Sequence, residues 1–243
     1  MWNGQSLAVV LPTYNEADSI ADCIRRFDAT GWVDDIIVVN NNAHPDTSPA
    51  VATTTAREVH ETQQGYGAAI RRGLREAAGA DLVCVCEPDG TFDPEDLAKL
   101  LPYSVDVDVV FGTRTVHEFI LTGANMGWWL RWGNWGVAKM TELAFNTGWL
   151  SDVGCTFRVL NRSALDRLGD NYVGTGSSFG FEMMLRVIEA DLRFVQVPVN
   201  YRERVGTSSV TGSTWTAIRL GLEMAQMCAV ARIRGTSAIR PRG

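Results

Sequence analysis

The chain has 243 residues, with 22 Lys and Arg against 28 Asp and Glu, and a formal net charge of −6. This length suffices for one large domain with a sizeable core. The acidic balance argues against a nucleic-acid binder with a broad basic face, so a phosphate-bearing ligand must be met by a local arginine cluster or by a metal.

Short apolar runs alternate with helical patterns in the first half of the chain. We predict strands at 7–11, 36–39, 58–60, 82–86 and 107–112, and helices at 17–29, 47–56, 67–78 and 94–101. This alternation predicts βαβ units and a largely parallel sheet with flanking helices, that is, an α/β fold. Ligands then belong at the carboxyl ends of the strands.

The second half of the chain has a different composition. Residues 115–149 are rich in Trp and Gly, and strands at 155–160 and 194–201 flank a helix at 181–190. Residues 203–213 are rich in Gly, Ser and Thr, which indicates a flexible loop of the kind that closes over ligands. Residues 215–233 have the pattern of an amphipathic helix with a wide apolar face.

The most informative stretch is the turn after the fourth predicted strand, where Glu87 and Asp89 stand one residue apart. In a strand both side chains would point to the same side. Hard carboxylate oxygens at the carboxyl end of a parallel strand can hold Mg²⁺ or Mn²⁺, which in turn binds a diphosphate. The alternative is a pair of solvated turn residues.

Polar residues also follow the other predicted strands. Residues 12–16 follow the first strand, residues 40–42 the second, and Arg114 the fifth. Arginine pairs with phosphate oxygens in a bidentate manner. The arginines that stand near this predicted rim are Arg114, Arg131, Arg158, Arg202 and Arg204.

Several other patterns indicate no site. The Gly65-Tyr-Gly67 segment lacks a third glycine at the required place and does not follow the first strand, which argues against a dehydrogenase. The three histidines have no metal-ligand spacing, so zinc is not expected. The five cysteines lack Cys-x-x-Cys spacing, and no apolar stretch reaches the length of a bilayer span. We expect a cytoplasmic protein.

An aromatic-dense segment contains Trp128, Trp129, Trp132 and Trp135, with Arg131 among them. On a helix, residues 128, 132 and 135 share one face. Tryptophan on such a face is typical either of core packing or of contact with a membrane interface. The pattern leaves both interpretations open.

Six ordered motifs resemble the inverting glycosyltransferases of family 2. They are VVLPTYNE at 9–16, IVVNNN at 37–42 with Asp46-Thr47, Glu87-Pro-Asp89, Gly112-Thr-Arg114, DVGCTFR at 152–158 and VPVNYR at 197–202. The branch that they resemble is that of the dolichol-phosphate and polyprenyl-phosphate hexosyl synthases. The resemblance covers residues 6–210 and implies the GT-A fold, a Rossmann-like α/β arrangement with an acceptor-side insertion.

The resemblance also implies roles for individual residues. The nucleotide-sugar donor would be bound by Pro12, Tyr14, Glu16, Asn40, Asn41, Glu87, Arg202 and Arg204. The Mg²⁺ or Mn²⁺ ion would be held by Glu87, Asp89 and Thr91. The catalytic set would be Asp89, Asp152, Arg114 and Arg131, in which the two arginines bind an acceptor phosphate.

The chain departs from the family pattern in three respects. Asn40 and Asn41 stand where the family has an aspartate, and Glu87 stands where it has the shorter Asp. Ser209 replaces a lysine that is frequent in the lipid-linked branch. A non-catalytic sugar-nucleotide-binding module therefore stays as an alternative to an enzyme.

The acceptor is also open at this point. A lipid monophosphate such as a polyprenyl or dolichyl phosphate needs no general base, whereas a hydroxyl acceptor would need one, and Asp152 is the candidate. A lipid acceptor implies peripheral membrane contact through the Trp-rich segment and the C-terminal helix.

We divide the single domain into a donor half at 1–113, an acceptor half at 114–213, a C-terminal helix at 214–234 and a disordered tail at 235–243. A homo-oligomer is compatible with the sequence.

Overall fold

The structure is a computed structural model that describes residues 1–124, 128–206 and 214–236. Side chains are described over the same ranges except at 128–130, 214–218 and 234–236. Ser209 and most of the predicted closing loop and tail therefore lie outside the described residues.

One seven-stranded sheet forms the centre of the fold. Its strands are β1 Leu7–Thr13, β2 Asp35–Asn40, β3 Arg57–His60, β4 Leu82–Val85, β5 Val109–Thr113, β6 Arg158–Asn161 and β7 Phe194–Pro198. The strand order is β3-β2-β1-β4-β6-β5-β7, and β6 runs antiparallel to both of its neighbours. The other six strands point the same way, so the predicted, largely parallel sheet is confirmed.

Eight α-helices flank the sheet among the described residues. They are α1 Ala17–Ala29, α2 Thr47–Val51, α3 Tyr66–Glu76, α4 Leu97–Leu100, α5 Trp128–Phe145, α6 Arg162–Leu168, α7 Phe179–Glu189 and α8 Thr214–Thr236. Short 3-10 helices lie at Pro94–Asp96, Leu101–Val105 and His117–Phe119. Among the helices that the structure describes, none is long and apolar enough to cross a membrane.

The core consists of two apolar layers, one on each face of the sheet. Successive residues of β1 alternate between them: Val10 packs in the layer beneath α3, α5, α7 and α8, while Leu11 packs in the layer that contains α1 and α4. Such alternation follows from the two-residue repeat of a strand. Because both faces are covered, the parallel strands are continuous apolar runs.

One helix boundary was wrong and one helix was missed, while α1 has the predicted bounds. The N-cap residue of α1 is Glu16, whose carboxylate accepts hydrogen bonds from the backbone N–H groups of Tyr14 and Asn15. The second helix ends at Val51 and not at residue 56. Helix α6 was not predicted, although Asn161 caps it by accepting from the Ala164 backbone N–H at 2.8 Å.

Candidate active site

The carboxyl ends of β1, β2 and β4 lie side by side at one edge of the sheet. Strand β4 ends at Val85, so Glu87 and Asp89 belong to the turn after the strand and not to its alternating face. They are nevertheless close together, because one nitrogen of Arg204, Nη1, lies 3.1 Å from Asp89 and 4.0 Å from Glu87.

Asp89 is buried and is oriented by Thr91. Its Oδ1 atom accepts hydrogen bonds from the Thr91 backbone N–H at 2.9 Å and from the Thr91 hydroxyl at 2.6 Å. Its other oxygen, Oδ2, faces Arg204. The structure therefore shows Thr91 as the residue that fixes the Asp89 carboxylate, while its predicted place among the metal ligands stays a prediction.

Glu87 has an unusual pKa. Burial, together with the neighbouring charge of Asp89, raises the pKa of Glu87 from 4.5 to about 8, although Arg204 and Arg114 act in the opposite direction. Two carboxylates that share a small volume cannot both ionise easily without a compensating cation. The pair is therefore suited to hold a positive charge.

Glu16 brings a third carboxylate to this place from the turn after β1. Its Oε2 atom accepts the backbone N–H groups of Tyr14 at 2.7 Å and Asn15 at 2.8 Å. Its Oε1 atom lies 3.1 Å from Nη2 of Arg204. The Tyr14 ring is exposed beside it, while Pro12 is buried within β1. The predicted donor contacts of these residues stay predictions.

Arg202 and Arg204 lie in different surroundings. The Arg202 guanidinium is bound by Asp93 at 2.6 Å, and Asp93 also binds Arg26 at 2.6 Å. The structure thus brings Arg204 to the carboxylates but places Arg202 in an ion-pair network on the side of α1. Its predicted contact with the donor stays a prediction.

The amide groups of Asn40 and Asn41 are occupied by bonds within the protein. Asn40 donates to Glu58 at 2.7 Å and accepts from the Ala43 backbone N–H at 2.8 Å. Asn41 donates to two backbone carbonyls of residues 61 and 63 and accepts from the Gly65 N–H at 2.7 Å. These side chains shape the loops beside β2. Their predicted contact with the nucleotide-sugar donor stays a prediction.

Arg114 and Asp152, which the sequence analysis predicts on the acceptor side, form a tightly bonded buried pair. Asp152 is fully buried and accepts from the Arg114 backbone N–H at 2.9 Å, from its Nε at 2.8 Å and from its Nη2 at 2.9 Å, while the Gly154 N–H donates at 2.9 Å. Burial alone would raise the pKa of Asp152, but the charge and hydrogen bonds of Arg114 outweigh it and lower that pKa. Asp152 is therefore ionised and has its oxygens engaged.

Two residues that the sequence analysis did not assign support this pair. Gln196 of β7 accepts hydrogen bonds from the backbone N–H groups of Ser151 at 2.6 Å and Asp152 at 3.2 Å. The Tyr201 ring centroid lies 5.3 Å from the Arg114 guanidinium. A polar Gln in the middle of an apolar strand is a signal that could have indicated the first of these contacts.

Arg131 lies near the same pair, at the start of α5. Its Nη2 atom donates to the carbonyl of Thr115 at 3.2 Å, one residue after Arg114. Arg158, by contrast, is buried and donates to the backbone carbonyls of Gly180 and Cys155. The Arg131 guanidinium thus contacts the backbone next to Arg114, whereas Arg158 lies in the interior.

Comparison of the fold with solved structures defines its class, the GT-A glycosyltransferase fold. Glucosyl-3-phosphoglycerate synthase from Mycobacterium tuberculosis, in a crystal structure with Mn²⁺, UDP-glucose and phosphoglyceric acid, aligns with a TM-score of 0.71. The alignment covers 93% of this chain and 80% of that one at 19% identity. The predicted fold is confirmed.

The chain belongs to glycosyl transferase family 2, whose family model matches residues 8–169. An uncharacterised glycosyltransferase of Mycobacterium tuberculosis is 32% identical over 216 residues, which cover 86% of this chain and 92% of the relative. An undecaprenyl-phosphate mannosyltransferase of Micrococcus luteus is 28% identical over 217 residues, covering 84% and 86%. The predictions of the family and of a glycosyltransferase are confirmed.

Proposed function

We propose that this glycosyltransferase moves a hexose from a nucleotide diphosphate sugar to the phosphate of a polyprenyl-type lipid monophosphate, with inversion at the anomeric carbon. The observation that carries the proposal is the bonding of Asp152. A hydroxyl acceptor would need a base, and the candidate for that base accepts four hydrogen bonds and has a lowered pKa. A phosphate acceptor needs only to be positioned.

The donor end fits a divalent cation. Glu87 and Asp89 supply the hard oxygen ligands that Mg²⁺ and Mn²⁺ take, and a guanidinium already lies between them as a stand-in cation. Glu16, Glu87 and Asp89 all face Arg204, but among the described residues no three His, Cys, Asp or Glu side chains lie close enough together to hold one metal ion by themselves. This suits an ion that takes its remaining ligands from a diphosphate and water. The ion would supply positive charge for the departing nucleoside diphosphate.

The acceptor end fits a phosphate. Arg114 is fixed by Asp152 through its Nε and Nη2 atoms, and Arg131 donates to the backbone carbonyl of Thr115, the next residue in the chain. A phosphate monoester has a second pKa of about 6, so it is mostly doubly ionised at neutral pH and is itself the nucleophile. The two arginines would then hold its oxygens in line with the anomeric carbon.

The outer face of α5 supports a lipid as the carrier of this phosphate. Trp132 and Trp135 are exposed on it, which excludes core packing for these two residues. Leu143, 87% exposed, lies on the same face, and Trp149 beyond the helix is 80% exposed. We infer that this α5 face (Trp132, Trp135, Leu143 and Trp149) contacts the membrane interface, where tryptophan is favoured. The protein would then be peripherally membrane-associated on the cytoplasmic side.

The test compares two acceptors that differ only in the phosphate. A polyprenyl monophosphate and the polyprenol of the same chain length are incubated with Mn²⁺ and a panel of GDP-mannose, UDP-glucose and UDP-N-acetylglucosamine. We expect a glycosylated product from the polyprenyl monophosphate and none from the polyprenol. Transfer to the polyprenol at an equal rate would overturn the assignment of the acceptor. Donor binding without transfer to any acceptor would favour the non-catalytic module.

Membrane contact is tested separately by flotation with liposomes that contain anionic lipid. The Trp135→Ser and Trp149→Ser double variant should float less than the wild type, while its turnover of a short-chain soluble acceptor stays the same. Val173→Ser is a control, since Val173 is also exposed but belongs to the segment between α6 and α7. Equal loss of flotation and turnover would contradict the membrane contact.

A further inference from the structure

Three carboxylates surround the guanidinium of Arg204. Nη2 lies 3.1 Å from Oε1 of Glu16, and Nη1 lies 3.1 Å from Oδ2 of Asp89 and 4.0 Å from Oε2 of Glu87. Arg204 comes from a distant part of the chain, since 188 positions separate it from Glu16. Its side chain is largely buried between them.

The oxygens that face Arg204 are the ones that a cation would also need. Oδ1 of Asp89 is committed to the two hydrogen bonds from Thr91, which leaves Oδ2 for a positively charged partner. Oε2 of Glu16 is similarly committed to two backbone N–H groups, which leaves Oε1. A cation that binds Asp89 through its available oxygen must therefore take the place of Nη1.

We propose that Arg204 holds the cation position of this site in the metal-free protein, and that Glu16 is a positioning residue that keeps the guanidinium there. Metal and Arg204 compete for Oδ2 of Asp89. When the metal binds, Nη1 is released and becomes available to the donor diphosphate. This inference rests on the proposed metal-dependent function and adds an order of events to it.

The backbone around Arg204 confines the exchange to its side chain. The N–H of Arg202 donates to the carbonyl of Thr91 at 2.8 Å, and the N–H of Val205 donates to the carbonyl of Asp89 at 2.9 Å. The segment that carries Arg204 is thus attached to the turn that carries the carboxylates. After the metal displaces it, the Arg204 guanidinium therefore stays close enough to bind the donor diphosphate.

The test is the affinity of the metal-free protein for Mn²⁺ alone, measured by calorimetry and by the loss of the free-ion electron paramagnetic resonance signal. Arg204→Met should bind Mn²⁺ about tenfold more tightly, the factor expected when one charge-assisted competitor is removed. Arg202→Met is the matched control. This variant removes an arginine two residues from Arg204 whose guanidinium is paired with Asp93. We expect it to bind Mn²⁺ with the affinity of the wild type.

Glu16→Gln separates direct competition from simple electrostatics. If Arg204 and Glu16 act on Mn²⁺ only through the electrostatic effect of their charges, loss of the Glu16 charge weakens Mn²⁺ binding. If Glu16 holds the competitor in place, its loss frees Arg204 and Mn²⁺ binds more tightly. The glutamine oxygen can still accept from the Tyr14 and Asn15 N–H groups, so the turn keeps its bonds.

The possible results lead to distinct conclusions. Tighter binding in both Arg204→Met and Glu16→Gln supports the inference. Unchanged or weaker binding in either variant overturns it, while the proposed function survives as long as the wild type binds Mn²⁺. Absence of Mn²⁺ binding by the wild type, even with a nucleoside diphosphate added, contradicts the proposed function itself.

Discussion

Replacement of Asp152 by Asn separates two roles for this residue. If Asp152 fixes Arg114, the substitution leaves a buried guanidinium without its counter-charge and turns an amide NH₂ group toward its donors. If Asp152 were a general base, the substitution would remove proton transfer and leave the packing almost unchanged. The side chains have nearly the same shape, so the difference lies in charge and hydrogen bonding.

The magnitude follows from burial and bonding. Asp152 is fully buried and accepts three hydrogen bonds from Arg114 and one from Gly154. Loss of one partner of a buried ion pair costs about 3–5 kcal/mol. In a chain of this size each kcal/mol lowers Tm by roughly 2–4 °C, so we expect Tm to fall by roughly 6–12 °C at the lower end of that cost.

The assay is thermal and urea unfolding of Asp152→Asn, with Asp170→Asn as control. Asp170 also binds an arginine, Arg71 at 2.8 Å, but it is half exposed, and its loss should cost less than about 1 kcal/mol. In the Asp152→Asn/Arg114→Met double variant, removal of the uncompensated charge should recover part of the lost stability. If Asp152→Asn were as stable as the wild type but had lost its kcat, this reasoning would be refuted. Asp152 would then again be the candidate general base.

The pH dependence of the same variant gives a further check. The pKa of Asp152 is lowered in the folded state, so the unfolded chain binds more protons between the folded and unfolded pKa values. The contribution of Asp152 to the free energy of unfolding is therefore complete at neutral pH and is lost as the pH falls through the folded pKa. The gap in Tm between wild type and Asp152→Asn should narrow in acid.

Two more predictions concern Glu87 and the packing of α3. The pKa of Glu87 is raised to about 8, so the folded protein binds this proton more tightly than the unfolded chain, and wild-type stability falls from pH 4.5 to pH 8. In chelator-treated protein the Tm of Glu87→Gln minus that of the wild type should therefore grow between pH 5 and pH 9, and a constant difference would count against the raised pKa. Gly73→Ala should lower the free energy of unfolding by about 1–3 kcal/mol in urea, because the added Cβ would lie 2.1 Å from Val10 Cγ1. Gly79→Ala, with nothing within 4 Å of its Cβ, should stay within about 0.5 kcal/mol, and equal effects would contradict the packing argument.

The parallel part of the fold could be predicted because its signals are local. Strands β1, β2 and β4 are buried on both faces, so they occur as short apolar runs, and the helices between them begin after polar turns. The position of Glu87 and Asp89 followed from the rule that ligands lie at the carboxyl ends of such strands. That rule needs only the order of the elements.

The reversed strand and the contacts of the proposed acceptor site could not be derived from local patterns. Strand β6 lies between β4 and β5 although it comes later in the chain, and no local pattern fixes that insertion. The contact between Arg114 and Asp152 joins residues 38 positions apart, and Gln196 lies 44 positions beyond Asp152. Such pairings depend on the tertiary arrangement.

The different positions of Arg202 and Arg204 have a similar cause. Three residue steps separate the N–H groups of Arg202 and Val205, but only two steps separate the carbonyls of Thr91 and Asp89 to which they donate. The extra residue acts as a bulge does, so the two arginines do not share a side as residues two apart in a regular strand would. The sequence contains no sign of this extra residue, and the two arginines were therefore assigned the same role.

The two arginine–carboxylate systems of the site differ in a way that suits their proposed tasks. Arg114 gives Asp152 three hydrogen bonds, one of them from its backbone, so this pair is held by the main chain as well as by the guanidinium. Arg204 gives Glu16 and Asp89 one nitrogen each, so its guanidinium can leave by rotation of the side chain alone. Under the proposed function, a phosphate nucleophile that needs no base requires an oriented binding partner, and the bonds to Asp152 would make Arg114 that partner. A diphosphate that enters with its metal and leaves after each turnover requires an exchangeable partner, and Arg204 has the bonding of one.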